Sequence, residues 1–146
     1  MPELPEVEAW VRELDPLVRR SSIASARAEH IATLKTFDPP PAALAGRQLA
    51  GAERRAKNLL FPVAGEDLTL RIHLMSAGRL RYHAPGGKPP KTSMFRVTFE
   101  DGGQLVLTEA GKQRRAGVWL LRRAALEEEL DHLGPDALGL APERLT

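Results

Sequence analysis

The stretch from Ile23 to Leu121 constrains the fold more than any other part of the chain. It is a succession of short runs in which apolar and polar residues alternate, each ended by turn-forming residues. Candidate strands lie at 23–29, 31–36, 47–54, 57–63, 67–74, 78–83, 93–99, 104–108 and 116–122. The breaks between them are chemically explicit: Asp38-Pro39-Pro40-Pro41, Ala64-Gly65-Glu66-Asp67, the APGGKPP run at 84–90, and Glu100-Asp101-Gly102-Gly103. Proline removes a ladder donor and glycine supplies the backbone freedom that tight turns require. The last cluster, between Phe99 and Leu105, is a strong hairpin signal. So many short strands in succession predict a mainly β fold with flanking helices: a two-layered antiparallel β-sandwich rather than a parallel sheet.

Two helical segments flank this region. Over residues 3–20, Val7, Trp10, Val11, Leu14, Leu17 and Val18 recur at spacings of three and four, while charged residues fall on the other side. Pro5 is tolerated only in a first turn, so this helix must begin almost at the terminus, and Pro16 puts its last turn in doubt. Helical periodicity returns at 124–132, and 133–146 read as loop with helix-start signals. A chain of 146 residues with 42% hydrophobic content can build one domain with a real core. No apolar run reaches the roughly 18–20 residues that span a membrane, and the opening carries acids where a secretory signal would be basic. A soluble cytoplasmic monomer is the expectation.

Cysteine is absent, which excludes disulfides, a thiolate nucleophile and any Cys-based zinc site. His30, His73, His83 and His132 show no close metal-ligand spacing, so neither a metal nor another cofactor is expected in this chain. The net charge of +2 conceals an asymmetry. Residues 46–123 hold 15 basic and 6 acidic side chains, whereas 124–146 hold 1 and 6, and no acid occurs from Arg71 to Arg96. A polyanion partner explains that surplus. A solvated basic surface balanced by acidic helices explains it equally well.

The amino terminus carries a more specific chemistry. With Met1 removed, Pro2 exposes a secondary amine, and α-amino groups titrate at about 7.7–8.0, far below lysine. The neutral amine can attack a carbonyl-level carbon and form an iminium. A helix amino terminus lowers its basicity further, while Glu3 and Glu6 act in the opposite sense and offer carboxylates for proton transfer. While Met1 remains attached, Pro2 is an amide and inert. Met-Pro-Glu alone is also an ordinary opening whose acids favour a helix start.

The whole opening, MPELPEVE, resembles the start of the formamidopyrimidine-DNA glycosylase/endonuclease VIII family. Further resemblances follow along the chain. Arg54-Arg55-Ala56-Lys57-Asn58-Leu59-Leu60 is similar to the family's RRAK-x-LL hairpin, although a solvated strand edge also favours such residues. Ile72 to Leu80 is similar to the family's IHL…MSG…L segment, with Met75 one residue closer to His73 than usual; an ungapped alignment puts Ser76 at the wedge position. Arg114-Arg115-Ala116-Gly117 follows the family's Arg-Arg-Phe-Gly after a longer loop, with alanine in place of phenylalanine. His132-Leu133-Gly134-Pro135-Asp136 is similar to the segment that closes the family's amino-terminal domain.

The resemblance implies the amino-terminal domain of a bifunctional DNA glycosylase and abasic-site lyase of base-excision repair. Pro2 would be the nucleophile at the sugar C1′, Glu3 its acid/base partner, Glu6 a support at the helix terminus, and Lys57 a lysine at the lesion phosphate. His73, Met75, Arg114, Arg115, Lys112 and Arg55 would contact DNA, with Met75 preferred as the wedge although a core methionine fits that position as well. Ala116 cannot stack or fill space beside the lesion, so opposite-base preference would differ from typical members.

Double-stranded DNA carrying oxidised bases, chiefly 8-oxoguanine and formamidopyrimidines, or abasic sites is the expected partner, in the cytoplasm of a bacterium at its nucleoid. Residues 1–136 would be the domain, and 137–146 the interrupted start of a helix–two-turn–helix segment. Family members usually add a zinc finger, whose cysteines this chain lacks. Without those grips the isolated domain is expected to have little activity on duplex DNA. Two rivals stand beside this reading. A proline-dependent tautomerase would open on a strand rather than a helix and leaves the basic centre without a task. A non-catalytic lesion-binding module would be marked by loss of Pro2 or Lys57, and both are present.

Overall fold

The apolar stripe read near the amino terminus becomes the buried side of the first helix, α1 (Leu4–Val18), where Val7, Leu14 and Val18 are buried and Trp10 and Val11 pack against the core. The structure is a computed structural model that describes residues 4–29, 33–36, 39–55, 58–74, 78–87, 93–109 and 116–131. Pro16 lies inside α1 without breaking it. The lost N–H belongs to the closing turn, where the helix runs only two residues further. The helix thus ends at Val18 rather than at residue 20.

The strands follow in order: β1 (Ile23–Ala28), β2 (Glu53–Arg55), β3 (Asn58–Pro62), β4 (Thr69–His73), β5 (Gly78–His83), β6 (Ser93–Phe99), β7 (Gln104–Glu109) and β8 (Gly117–Leu121). A 3-10 turn at Pro41–Leu44 precedes β2, and a second helix, α2 (Arg123–Asp131), follows β8. The strands form two four-stranded sheets, ordered β1-β6-β7-β5 and β2-β3-β4-β8, and every strand pair is antiparallel. The expected sandwich is therefore observed. Val97, Leu105 and Leu107 from one sheet and Leu59, Phe61 and Ile72 from the other are almost fully buried in one apolar core. The Glu100–Gly103 turn closes β6 onto β7, with the Phe99 N–H donated to Gly103 O at 2.8 Å.

Two expected strands are corrected. Among the described residues of 31–36, only Leu34 bridges, in parallel, to Val118. The segment instead lines the free edge of β8: the Lys35 N–H reaches Val118 O, and the Leu120 N–H reaches Thr36 Oγ1. The expected strand at 47–54 is reduced to a bridge between Leu49 and Val63 and to Glu53–Arg55 of β2. Helix α1 interrupts it: the Ala52 N–H bonds to Asp15 Oδ1 at 2.7 Å, and Gly51, where a Cβ would stand 2.6 Å from that oxygen, leaves room for the approach.

The second sheet is covered on both faces. Leu59 and Phe61 of β3 enter the main core, while Leu60 joins Leu121, Leu126 and Leu130 in a smaller cluster beneath α2. Ala, Leu and Glu give α2 good helix propensity, but at nine residues it is too short to be stable alone, and its apolar contacts hold it in place.

Candidate active site

Three connections leave the sandwich at the same end. Arg55, the last residue of β2, pairs with Asn58, the first of β3, so Ala56-Lys57 joins them as a two-residue link. Asn58 also faces His73, the last residue of β4, and His73 faces Gly117, the first of β8. In the other sheet Gly78, which opens β5, faces Glu109, which ends β7. The links 56–57, 75–77 and 110–115 therefore begin and end side by side.

Helix α1 points its amino end to the same place. Asp15, late in the helix, accepts the Ala52 N–H at 2.7 Å, whereas Glu8, nearer its start, pairs with Arg54 Nε at 3.0 Å. Along the chain from Ala52 to Arg54 the helix is thus met from its carboxyl toward its amino end. Arg79, one residue past Gly78, lies 5.9 Å from the Trp10 ring, which brings β5 to the same part of the helix.

The candidate residues divide accordingly. Pro2, Glu3, Lys57, Met75, Lys112, Arg114 and Arg115 lie outside the described residues, as do 132–136. Their chain neighbours, Leu4, Arg55 and Asn58, Leu74 and Gly78, and Glu109 and Ala116, are the residues just placed at that end. Glu6 belongs to the first turns of α1, and its side chain is outside the described set. Arg55 and His73 are described, both half-buried, and they close β2 and β4, the strands on either side of β3. Among the described residues, no group of three or more His, Cys, Asp or Glu side chains could hold a metal ion. No described helix is long and apolar enough to cross a membrane.

Ala116 is fully buried, and its N–H is donated to Glu109 Oε1 at 2.8 Å. Its methyl packs into the main core, so this position presents nothing to a DNA base. A groove of about 520 Å³ runs between α2 and the β2–β3 pair, with Leu60, Leu126 and Leu130 in its wall. Glu53, Glu66, Asp67 and Glu127 line it as well, with Arg55 and Arg123 beside them, so the groove carries charges of both signs.

Sequence reasoning missed a group immediately behind this end. Arg71 is buried on the α2 side of β4, in register with Leu60 on one flank and Trp119 on the other. Its Nε donates to Asn58 Oδ1 at 2.8 Å and its guanidinium pairs with Glu129 on α2 at 3.2 Å. The guanidinium also lies 4.3 Å from the centre of the Trp119 ring. Asn58 in turn donates its amide to Arg55 O at 3.2 Å, across the base of the two-residue link. In the sequence, Thr69, Arg71 and His73 alternate with apolar residues and read as one solvent-facing edge. Only α2, arriving from fifty residues later, buries the middle one.

Comparison with known proteins identifies the architecture. The family model of the formamidopyrimidine-DNA glycosylase N-terminal domain matches residues 1–119. The formamidopyrimidine-DNA glycosylase of Moorella thermoacetica is 35% identical, over 99% of this chain and 53% of that protein. Its counterpart from Bradyrhizobium diazoefficiens is 34% identical, over 95% and 52%. The chain thus spans about half the length of these curated relatives. Among solved structures, Lactococcus lactis Fpg in complex with DNA containing an abasic site superimposes with a TM-score of 0.79 at 26% identity, covering 90% of this chain and 48% of that one. The same enzyme with DNA containing FAPY-dG gives 0.78 at 27% identity, over 89% and 48%.

Proposed function

The chain belongs to the formamidopyrimidine-DNA glycosylase family, and on that premise we propose that it is the catalytic unit of a base-excision repair glycosylase and abasic-site lyase. Residues 1–136 form that unit, and 137–146 lead toward a helical segment that grips DNA. It acts on duplex DNA in the bacterial cytoplasm, as a monomer and without a cofactor of its own in these residues. Oxidised purines are the substrate class, because MPELPEVE and HLGP resemble the purine-directed branch of the family.

After removal of Met1, the Pro2 nitrogen uses its lone pair to form a bond to C1′ of the extruded nucleotide. The glycosidic bond breaks, and the base leaves carrying its electron pair and a proton. The Pro2 nitrogen then gives up its proton, O4′ takes one up, and the C1′–O4′ bond breaks as the nitrogen lone pair forms the C1′=N bond, leaving an iminium between Pro2 and the opened sugar. It acidifies the neighbouring C2′–H, so loss of that proton expels the 3′ phosphate, and a second elimination expels the 5′ phosphate. Glu3 carries protons between base and sugar, Glu6 supports the helix terminus, and Lys57 holds the phosphate at the lesion. His73, Arg55, Lys112 and Arg115 contact the DNA around the lesion, Arg114 enters the orphaned space to read the base opposite, and Met75 fills the space left by the base.

What carries this reading is that the stems of three links and the amino end of α1 lie at one end of the sandwich. A nucleophile, a phosphate-binding lysine and a set of arginines drawn from sequence positions 2 to 115 need such a junction to act on one nucleotide. One rival is a module that binds lesions without excising them, kept in view because Ala116 stands where the family has phenylalanine.

Borohydride trapping decides between the two. Protein extended to the relatives' length, with Met1 removal verified by mass, is mixed with duplex DNA containing an abasic site and reduced. A covalent adduct that vanishes when Met1 is retained is the expected result. Tight binding with no adduct from the processed protein would establish the binding module instead.

A further inference from the structure

Arg71 is an unusual residue to place beneath a helix. It stands in a row with Leu60 and Trp119, next to a cluster completed by Leu121, Leu126 and Leu130. Its side chain is only 6% exposed. Its partner Glu129 is 47% exposed, so the pair gains little while the guanidinium loses its water, and stability alone gives no reason for an arginine. What an apolar residue could not do is bond to Asn58. Nε donates to Asn58 Oδ1 at 2.8 Å, which leaves the Asn58 amide to donate to Arg55 O at 3.2 Å. Asn58 is itself 2% exposed: its bond to Arg71 is buried and its bond to Arg55 part-buried, and hydrogen bonds shielded from water hold geometry firmly.

We propose that Arg71 is a positioning residue: through Asn58 it sets the base of the Ala56-Lys57 link, and through Glu129 and Trp119 it ties that setting to helix α2. The proposal rests on the catalytic reading given above, in which Lys57 meets the lesion phosphate. Three observations converge on it. The guanidinium is held on separate sides, by Asn58, by the Glu129 carboxylate at 3.2 Å and by the Trp119 face at 4.3 Å, so its planar fork has a single orientation. Asn58 spans the link, pairing with Arg55 in the ladder and again through its side chain. Asn58 also pairs with His73 in the ladder, so the same contact underlies a second proposed phosphate ligand. Movement of α2 would reach the lysine by this route, and phosphate contact would be felt at α2.

The test uses protein extended to the relatives' length, as wild type, Arg71→Met, Asn58→Ala and Glu129→Gln. Two measurements are made on each: hydrogen–deuterium exchange of the peptide spanning 53–60, and the single-turnover rate of borohydride trapping at saturating abasic-site DNA, beside the Kd for that DNA. For Arg71→Met and Asn58→Ala, exchange in 53–60 should rise at least fivefold with the core strands unchanged. The trapping rate should fall at least tenfold while Kd rises less than threefold. Glu129→Gln should give a smaller change in the same direction. A purely structural role would raise exchange throughout the sandwich, lower the thermal midpoint and leave the rate of the folded fraction unaltered; that result overturns the proposal. Unchanged exchange at 53–60 also overturns it. If wild type traps no DNA, the catalytic reading fails and with it the positioning role, while increased exchange in the variants would show that the tie itself exists.

Discussion

The carboxylate of Glu109 accepts the backbone N–H of Ala116 at 2.8 Å, and both residues are buried. One ends β7, the other precedes β8, and the six residues between them include Lys112, Arg114 and Arg115. A single bond therefore fixes the two stems of the link that is proposed to meet DNA.

Replacing Glu109 with alanine leaves the Ala116 N–H buried and unpaired, at a cost of about 1–3 kcal/mol. The thermal midpoint should fall by roughly 3–10 °C. Glu109→Gln keeps an oxygen at the same place and should lose less than half as much. Differential scanning calorimetry of the three proteins checks the order. Equal midpoints for wild type and the alanine variant would show that the bond contributes nothing.

Asp15 plays a comparable part for α1. Its Oδ1 accepts the Ala52 N–H at 2.7 Å and its carboxylate pairs with Arg19 at 3.1 Å. Asp15→Ala should cost about 1–2 kcal/mol, chiefly through the Ala52 N–H, because the exposed Arg19 pair is worth little. Asp15→Asn should retain most of that stability. The urea midpoint is the readout, and a loss of equal size in Arg19→Ala would show that the ion pair, not the backbone bond, was responsible.

Gly117 sits under the Trp119 ring. A Cβ there would be 2.8 Å from Trp119 Cη2 and 3.1 Å from Lys35 Cε, so Gly117→Ala must displace the ring that faces Arg71. A destabilisation of about 1–3 kcal/mol is expected for such overpacking. The near-ultraviolet circular dichroism should change with it. A spectrum and midpoint identical to wild type would mean that the ring yields freely.

The proposed phosphate ligands make a prediction about salt. In full-length protein, Arg115→Ala should weaken duplex binding and reduce the slope of log K against log salt by about 0.9. Arg12→Ala, an exposed change on the far side of α1's apolar stripe, should leave the slope as it was. Parallel lines for wild type and Arg115→Ala would remove Arg115 from the interface.

Much of the fold was legible because alternation reports which face of a strand is wet. The β6–β7 hairpin is the clearest case: the run from Met94 to Phe99, a turn rich in Asp and Gly, and a second run from Leu105 predict both strands and their connection. The failures have a common cause. Thr33 to Thr36 lies in a run that reads as a strand, yet it meets β8 by one bridge at Val118 and one side-chain bond from Thr36, because its partner edge belongs to residues more than eighty positions away. At Gly51 the expected strand is broken by Asp15 and Arg19 of a helix that the local pattern does not see.

The candidate site divides in the same way. By itself the sequence determined the β-sandwich class and the amphipathic first helix. It also determined the placement of a proline, a lysine and several arginines at chain positions matching one family, because periodicity, turn chemistry and contiguous motifs are local properties. Only tertiary structure decided that links 56–57, 75–77 and 110–115 start from one end of the sandwich, since strand order and register depend on pairings between distant segments. It alone also made Arg71 a buried residue with three partners. In a strand that alternates, a charged side chain is read as facing water, and whether water is there depends on where a later helix comes to lie.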